Sequence, residues 1–215
     1  MTLRILVVDD HAVVRRGVRS LLESHEGWEV CGEATTGRDA VTEAVRLRPD
    51  VVVMDVSLPE LNGLDATRQI LKAAPNTEVL VLTMHYSEEV ARDVLQAGAR
   101  AYVLKADADE NLVAAIESLA QHSPFLTPTV RKLVLDDYLR RGGADDGHAL
   151  VAATSREREV IQLLAEGKSN KEAAATLGIS VKTIEAHRAN IMRKLQLHSL
   201  SDLVRYAIRN KIVQP

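Results

Sequence analysis

Residues 5–11 read Ile-Leu-Val-Val-Asp-Asp-His, a short apolar run that ends in two acidic residues. Similar runs rich in Val, Ile and Leu lie at residues 51–54, 79–82 and 101–104, and a weaker one lies at residues 29–34. Runs this short and this apolar are typical of strands that are buried on both faces of a parallel sheet. The pattern therefore predicts five strands of one sheet.

Segments of helical length separate the predicted strands. Each places its apolar residues on one helix face, as Val14, Val18 and Leu22 do in the first segment. The predicted helices cover residues 12–24, 37–48, 65–74, 87–97 and 109–121. Five strand–helix units in about 120 residues predict an α/β doubly wound five-stranded parallel sheet, which forms a first domain at residues 1–122.

Residues 123–149 are predicted to be a linker. Pro124 and Pro128 end the preceding helix, because proline lacks the amide hydrogen that a helix interior requires. Residues 129–141 keep their apolar residues in helical register, so we expect a linker helix there. Residues 142–147, Gly-Gly-Ala-Asp-Asp-Gly, predict a flexible hinge.

Residues 150–215 form a second predicted domain, which is small and all-α. Its predicted helices cover Ser155–Ala165, Asn170–Leu177, residues 181–195 and residues 201–211. Gly178 lies in the short turn before the third helix, and Ser180 is the expected N-cap of that helix. These are the proportions of a helix-turn-helix. A generic helical hairpin with a solvated charged face has the same proportions and stays an alternative.

Charge is distributed unevenly over the 215 residues, whose net charge is −3. Residues 1–122 carry 12 Lys and Arg against 20 Asp and Glu, whereas residues 150–215 carry 11 against 6. The basic end suits a polyanion such as DNA. The single cysteine, Cys31, excludes an internal disulfide. No apolar run approaches the roughly 20 residues that span a bilayer, and no signal peptide is evident, so we expect a cytoplasmic protein without a membrane partner.

Acidic, hydroxyl and ammonium groups follow the predicted strands. They are Asp9 and Asp10 after the first strand, Asp55 at the end of the third, Thr83 at the end of the fourth and Lys105 after the fifth. Ligands of doubly wound sheets bind at the carboxyl ends of the strands, so these groups are expected to converge. Clustered carboxylates must be protonated or bound to a metal, and a hard cation with oxygen ligands, Mg²⁺ above all, is the simplest explanation. One acid at a strand end is usually a helix cap or a solvated loop residue, but the whole set favours a functional site.

Four segments resemble the receiver domain of two-component response regulators. They are ILVVDDH at residues 5–11, VVMDVSLPELNGL at 52–64, VLTMH at 81–85 and GARAYVLKA at 98–106. The resemblance covers residues 3–121 and implies a flavodoxin-like receiver in which Asp55 accepts a phosphoryl group from a sensor histidine kinase.

The same resemblance implies roles for residues around Asp55. It implies that Mg²⁺ is held by Asp9, Asp10, Asp55 and the backbone carbonyl of Ser57. Thr83 and Tyr102 would be switch residues that move inward on phosphorylation, and Lys105 would pair with a phosphoryl oxygen. Packing alone is the alternative for Tyr102. His11 is expected to be a surface residue at a helix start rather than a metal ligand.

Residues 154–199, TSREREVIQLLAEGKSNKEAAATLGISVKTIEAHRANIMRKLQLHS, resemble the LuxR-type domain of the NarL/FixJ family. The resemblance implies that the third helix of the domain binds DNA through Lys182, Thr183, Glu185, His187, Arg188, Asn190 and Lys194. Of these, Glu185 and Arg188, with Ala189, would read bases. The final helix, with Leu203, Val204, Ala207 and Ile208, resembles the dimerisation helix of the family. Packing within its own domain is the alternative.

These features predict a DNA-binding response regulator of the NarL/FixJ family. Phosphotransfer to Asp55 would switch homodimerisation and sequence-specific DNA binding and so control transcription, with RNA polymerase as a candidate partner. We do not expect a turnover enzyme, although the receiver would catalyse its own dephosphorylation. One rival is an aspartyl-phosphate hydrolase, but such enzymes carry a second acid where this chain has Ser57. The other rival is a receiver that works without phosphorylation, which the intact set of acids, Thr83 and Lys105 disfavours.

Overall fold

The computed structural model describes residues 2–84, 88–127, 130–132 and 153–214. The chain divides into two compact units, one mainly within residues 1–146 and the other mainly within residues 147–215, and each has its own hydrophobic core. The predicted linker helix and hinge lie outside the described residues, except for residues 130–132, which are helical.

The first unit contains one parallel sheet. Its strands are β1 (Leu3–Val8), β2 (Trp28–Ala34), β3 (Val51–Asp55), β4 (Glu78–Thr83), β5 (Ala101–Leu104) and β6 (Phe125–Leu126). Their order is β2-β1-β3-β4-β5-β6. The prediction of five strands therefore missed β6, whose two residues pair with Ala101 and Tyr102 of β5. A strand of two residues that follows Pro124 has no periodicity by which it could be predicted.

Helices cover both faces of the sheet. They are α1 (Ala12–Glu23), α2 (Gly37–Leu47), α3 (Gly63–Ala73), α4 (Glu88–Gln96) and α5 (Ala108–Ala120). On one face, α1 and α5 pack side by side over a core that includes Ile5, Val53 and Leu80. On the other face, α2 packs against α3. Because the chain leaves β1 towards β2 and leaves β3 towards β4, the loops after β1 and β3 diverge and open a crevice at the carboxyl edge.

The second unit is helical throughout its described residues. Its helices are α6 (Ser155–Ala165), α7 (Asn170–Leu177), α8 (Val181–Lys194) and α9 (Leu200–Arg209). Gly178 ends α7 in the left-handed conformation, with φ of 64°, and this leaves only a short turn before α8. The hydroxyl of Ser180 then accepts a hydrogen bond from the Thr183 amide at 3.1 Å and caps α8, as predicted.

Within the described part of the chain, no helix combines the length and the apolar character needed to cross a membrane.

Candidate functional site

The three predicted acids lie together at the carboxyl edge of the sheet. Val8 of β1 is in register with Met54 of β3. The next residues, Asp9 and Asp55, therefore lie side by side at the carboxyl ends of the two strands. Both are buried, with 2% and 3% of their surface exposed, whereas Asp10 is exposed. One ligand atom from each of Asp9, Asp10, His11 and Asp55 can be chosen so that all four lie within 4.8 Å. Carboxylates so close together repel one another unless a cation or a proton intervenes.

Lys105 brings a positive charge to these acids. It begins a single 3₁₀ turn directly after β5, and its side chain is 7% exposed. Its ammonium donates a hydrogen bond of 2.9 Å to Asp55 Oδ2 and lies 2.7 Å from Asp9 Oδ2. Burial lowers the pKa of Lys105, but its pairing with Asp55 and Asp9 outweighs this and the pKa is raised. The lysine is therefore a permanent cation of the site at neutral pH.

Burial has the opposite consequence for Asp55. It raises the pKa of the Asp55 carboxyl, although the hydrogen bond from Lys105 opposes the shift. The nearby Asp9 charge raises it further, and the backbone amide of Ser57, which donates to the Asp55 carboxylate, lowers it. The contacts from Lys105 and Ser57 therefore do not fully offset the cost of burying the negative charge of Asp55.

The three carboxylates of this site carry more negative charge than Lys105 alone balances, and a divalent cation would balance the remainder. Asp9 Oδ2 is buried and faces the Lys105 ammonium at 2.7 Å, and the same ammonium also pairs with Asp55. The carboxylates of Asp9, Asp10 and Asp55 are the hard oxygen ligands that Mg²⁺ prefers. The residues present therefore suit the predicted metal.

Thr83 lies on β4, which pairs with β3, and Tyr102 lies on β5, the next strand along. Thr83 ends β4 and is 1% exposed, and Tyr102 lies in β5, where it pairs with Val81 and is also 1% exposed. Thr83 pairs in register with Leu104, the residue before Lys105. The hydroxyl-bearing strand end and the lysine-bearing strand end are therefore neighbours at the same edge as Asp55.

His11 is exposed, as predicted, yet it also contacts the acids. Its backbone amide donates to Asp9 Oδ1 at 2.8 Å, and its Nδ1 lies 2.7 Å from Asp10 Oδ1. The sequence analysis expects only a surface residue at a helix start, and the structure adds contacts from His11 to both neighbouring carboxylates.

Gly63 is a further residue that the sequence reasoning did not single out. It begins α3, and its amide donates to the Val56 carbonyl at 2.9 Å. A Cβ placed on Gly63 would lie 1.8 Å from the backbone oxygen of Asp55. Only glycine permits this approach, which ties the start of α3 to the backbone of the buried acid. The signal in the sequence was a glycine eight residues after Asp55.

The predicted DNA-binding residues of α8 differ in exposure. Lys182, Thr183, Glu185 and Asn190 are exposed, while His187 and Arg188 are half-buried. Ile184 and Ile191 are fully buried in the core of the unit and fix which face of α8 points outward. Asn190 also accepts a 3.0 Å hydrogen bond from Arg193.

Lys194 differs from the rest of this predicted set. Its ammonium lies 2.6 Å from Glu157 Oε2, and the two side chains are 29% and 16% exposed. Glu157 is also the third residue of α6, where it closes a capping box with Thr154. The structure therefore joins Lys194 to α6 of its own unit rather than leaving it extended on the outward face.

The final helix α9 divides its predicted dimerisation residues into two pairs. Leu203 and Ala207 are fully buried in the core of their own unit. Val204 and Ile208 are half-buried. Packing within the domain, the alternative stated for this helix, therefore accounts for Leu203 and Ala207, and only the second pair lies at the surface.

Comparison with known proteins identifies both units. The family model described as response regulator receiver domain matches residues 5–117, and the model described as bacterial regulatory proteins, luxR family, matches residues 152–207. The chain belongs to the NarL/FixJ family of response regulators. This response regulator is 36% identical over 215 residues to the oxygen regulatory protein NreC of Staphylococcus carnosus (strain TM300), covering 98% of this chain and 99% of NreC.

Solved structures agree with this membership. A LuxR-family two-component response regulator from Aurantimonas sp. SI85-9A1 is 34% identical, with a TM-score of 0.61 over 65% of this chain and 99% of that one. The response regulator RcsB, solved as a complex with DNA, is 27% identical, with a TM-score of 0.60 over 96% of this chain and 98% of RcsB. This response regulator therefore combines a receiver with a LuxR-type DNA-binding domain and regulates transcription.

Proposed function

We propose that this response regulator accepts a phosphoryl group on Asp55 from a sensor histidine kinase, and that the modification controls homodimerisation and DNA binding. The observation that carries the proposal is the pairing of buried Asp55 with Lys105 beside the second buried acid, Asp9. The permanent positive charge of Lys105 lies next to a buried carboxylate whose negative charge is not fully balanced. It can stabilise both the attacking carboxylate oxygen and the negative charge of the incoming phosphoryl group.

Each residue of the site has a defined task in this proposal. An Asp55 carboxylate oxygen forms the new bond to phosphorus while the phosphorus–nitrogen bond of the phosphohistidine breaks and the imidazole nitrogen keeps the electron pair. Lys105 pairs with a phosphoryl oxygen. Thr83, at the next strand end, contacts another phosphoryl oxygen, and Tyr102 moves together with Thr83.

Mg²⁺ would be held by the carboxylates of Asp9, Asp10 and Asp55 and by the backbone carbonyl of Ser57. When bound, it supplies the positive charge that balances the carboxylates and the phosphoryl oxygens. The close grouping of the Asp9, Asp10 and Asp55 carboxylates supports this assignment.

Phosphate uptake tests the assignment of Asp55. Wild-type protein with Mg²⁺ and acetyl phosphate should gain one phosphoryl mass by intact mass spectrometry, and Asp55→Asn should gain none. Asp109→Asn, which changes an exposed acid in the first turn of α5, is the matched control and should behave as wild type. Stoichiometric uptake by Asp55→Asn would exclude Asp55 as the acceptor. Steady turnover of phosphate esters by wild type would instead favour the hydrolase alternative.

We divide the chain into a receiver at residues 1–122, a linker at 123–149 and a DNA-binding domain at 150–215. The receiver, when phosphorylated, shifts towards a dimer-competent state, and the dimer places two α8 helices on half-sites about one DNA turn apart. The relative RcsB has been solved on DNA and as dimers bound to DNA, which supports this arrangement. The protein would act in the cytoplasm, where its DNA lies, without being a turnover enzyme, and RNA polymerase is a candidate partner.

On α8, we assign the phosphate backbone to Lys182, Thr183, His187 and Asn190, and the bases to Glu185, Arg188 and Ala189. Arg188→Ala should cost about 1–3 kcal/mol of discrimination at one base pair. Lys182→Ala should weaken binding to all sequences alike and reduce the salt slope by about 1. Selection of binding sites from random DNA, followed by fluorescence anisotropy, measures both effects. An unchanged base preference in Arg188→Ala would remove that arginine from the base readers.

A further inference from the structure

Arg15 connects the acidic site to the neighbouring strand β2. It lies in the first turn of α1, with its side chain 16% exposed. Its Nη1 donates a 2.8 Å hydrogen bond to the backbone oxygen of Asp9, and its Nε donates a 2.9 Å hydrogen bond to Glu33 Oε2. The planar guanidinium thus bridges the backbone of a site residue and a carboxylate on β2.

The bond from Arg15 completes the fixation of Asp9. The Asp9 amide donates to the Ala34 carbonyl at 3.2 Å, and Oδ1 accepts from the His11 amide at 2.8 Å. Oδ2 faces Lys105. The remaining polar atom of Asp9 is its backbone oxygen, for which Arg15 is the donor. Since the loop from β1 to α1 begins at this residue, the bond sets the direction in which the chain enters Asp10.

Glu33 is itself held in place by a second arginine. Arg19 Nη1 lies 2.8 Å from Glu33 Oε1, so each carboxylate oxygen of Glu33 has its own arginine. Hydrogen bonds from Arg19 and Arg15 hold the pKa of Glu33 below its usual range, so the carboxylate stays charged. Arg15 therefore has a fixed anchor on β2, and of the two arginines on that anchor it is Arg15 that reaches the Asp9 backbone.

We infer that Arg15 is a positioning residue for the divalent cation site, which holds the Asp9–Asp10 backbone in the geometry that Mg²⁺ requires. The inference rests on the proposed Mg²⁺ site. Groups that orient metal ligands typically contribute about 10–100-fold to metal affinity. Mg²⁺ tolerates little departure from octahedral geometry, so a shift of two carboxylates would weaken its binding directly.

Isothermal titration calorimetry of the full chain with MgCl₂ tests the inference. Arg15→Met should raise the Mg²⁺ dissociation constant by about 10-fold or more. Arg19→Met is the matched control, because it also removes one arginine from Glu33 but leaves the bond from Arg15 to the Asp9 backbone in place, so its affinity should stay close to that of wild type. Arg15→Lys should recover part of the affinity, since one ammonium cannot span Asp9 and Glu33 as a guanidinium fork does.

Urea unfolding separates positioning from general stabilisation. Trp28, the single tryptophan of the chain, lies on β2 and reports the unfolding of the receiver. If Arg15 positions the site, the increase in urea midpoint on adding Mg²⁺ should shrink in Arg15→Met and not in Arg19→Met. A role in stability alone would lower the midpoints in EDTA and in Mg²⁺ equally.

Three results of the titration overturn the inference. Wild-type Mg²⁺ affinity in Arg15→Met would remove its basis, and so would an equal loss of affinity in Arg19→Met. Absence of Mg²⁺ binding in the wild type would overturn the inference together with the proposed metal site. This result differs from the other two because neither the wild type nor any variant would then bind Mg²⁺.

Discussion

Gly63→Ala should disable phosphorylation of Asp55 without touching any side chain of the acidic site. The substitution adds one methyl group at the first residue of α3. That methyl carbon would lie 1.8 Å from the Asp55 backbone oxygen, 2.8 Å from its carbonyl carbon and 3.0 Å from Val56 Cα. All three neighbours are backbone atoms, so no rotation of a side chain can relieve the overlap.

The size of the displacement follows from these distances. Carbon–oxygen contacts in proteins settle at about 3.3–3.6 Å, so the backbone of Asp55 and the start of α3 must separate by about 1.5 Å. Overpacking of this kind typically costs about 1–3 kcal/mol of stability. A misplacement of about 1 Å can cost about 100-fold in rate, and here it would separate Asp55 from Lys105.

Two measurements check this prediction. The fluorescence of Trp28 gives the urea midpoint of the receiver, and intact mass spectrometry gives the rate of phosphorylation by acetyl phosphate. Gly17→Ala is the control, since Gly17 is exposed in the middle of α1 and an added Cβ there meets nothing within 4 Å. The control should gain about 0.5–1 kcal/mol from helix propensity and phosphorylate normally. If Gly63→Ala behaved like this control, the close approach of α3 to Asp55 would be wrong.

Three further outcomes follow from other contacts. Asp55→Asn should stabilise the metal-free receiver more at pH 7 than at pH 4. Burial raises the pKa of Asp55, so the wild type loses stability as pH rises through that pKa. Equal gains in stability at both pH values in EDTA would contradict this. Ser180→Ala should cost about 1 kcal/mol by removing the N-cap of α8, seen as a lower midpoint by circular dichroism; an unchanged midpoint would count against the cap. Lys194→Met should leave the salt slope of DNA binding unchanged and cost less than about 1 kcal/mol, because its ammonium pairs with Glu157; a slope reduced by about 1 would return Lys194 to the phosphate contacts.

The convergence of the acidic residues could be predicted because it depends only on where the strands end and how they pair. Parallel strands end at one edge, and short apolar runs locate those ends to within a residue or two. β3, for example, ends at Asp55, one residue beyond the predicted run. The register of β1 with β3 and of β4 with β5 then leaves little freedom for Asp9, Thr83 and Lys105. The two-residue strand β6 lies below the length at which any period can be recognised.

The contacts of Arg15 and Lys194 could not be predicted in this way, and the reason is the same for both. Periodicity determines which helix face carries a residue, but a long flexible side chain can turn along the surface and reach another element. The role of Arg15 depends on β2, whose pairing places Glu33 opposite Val7 at the level where the chain leaves the sheet. Lys194 likewise reaches Glu157, 37 residues earlier in the sequence. The sequence alone therefore gives no role to Arg15 and places Lys194 among the DNA contacts. Their partners Glu33 and Glu157 can be identified only once the neighbouring elements are in place.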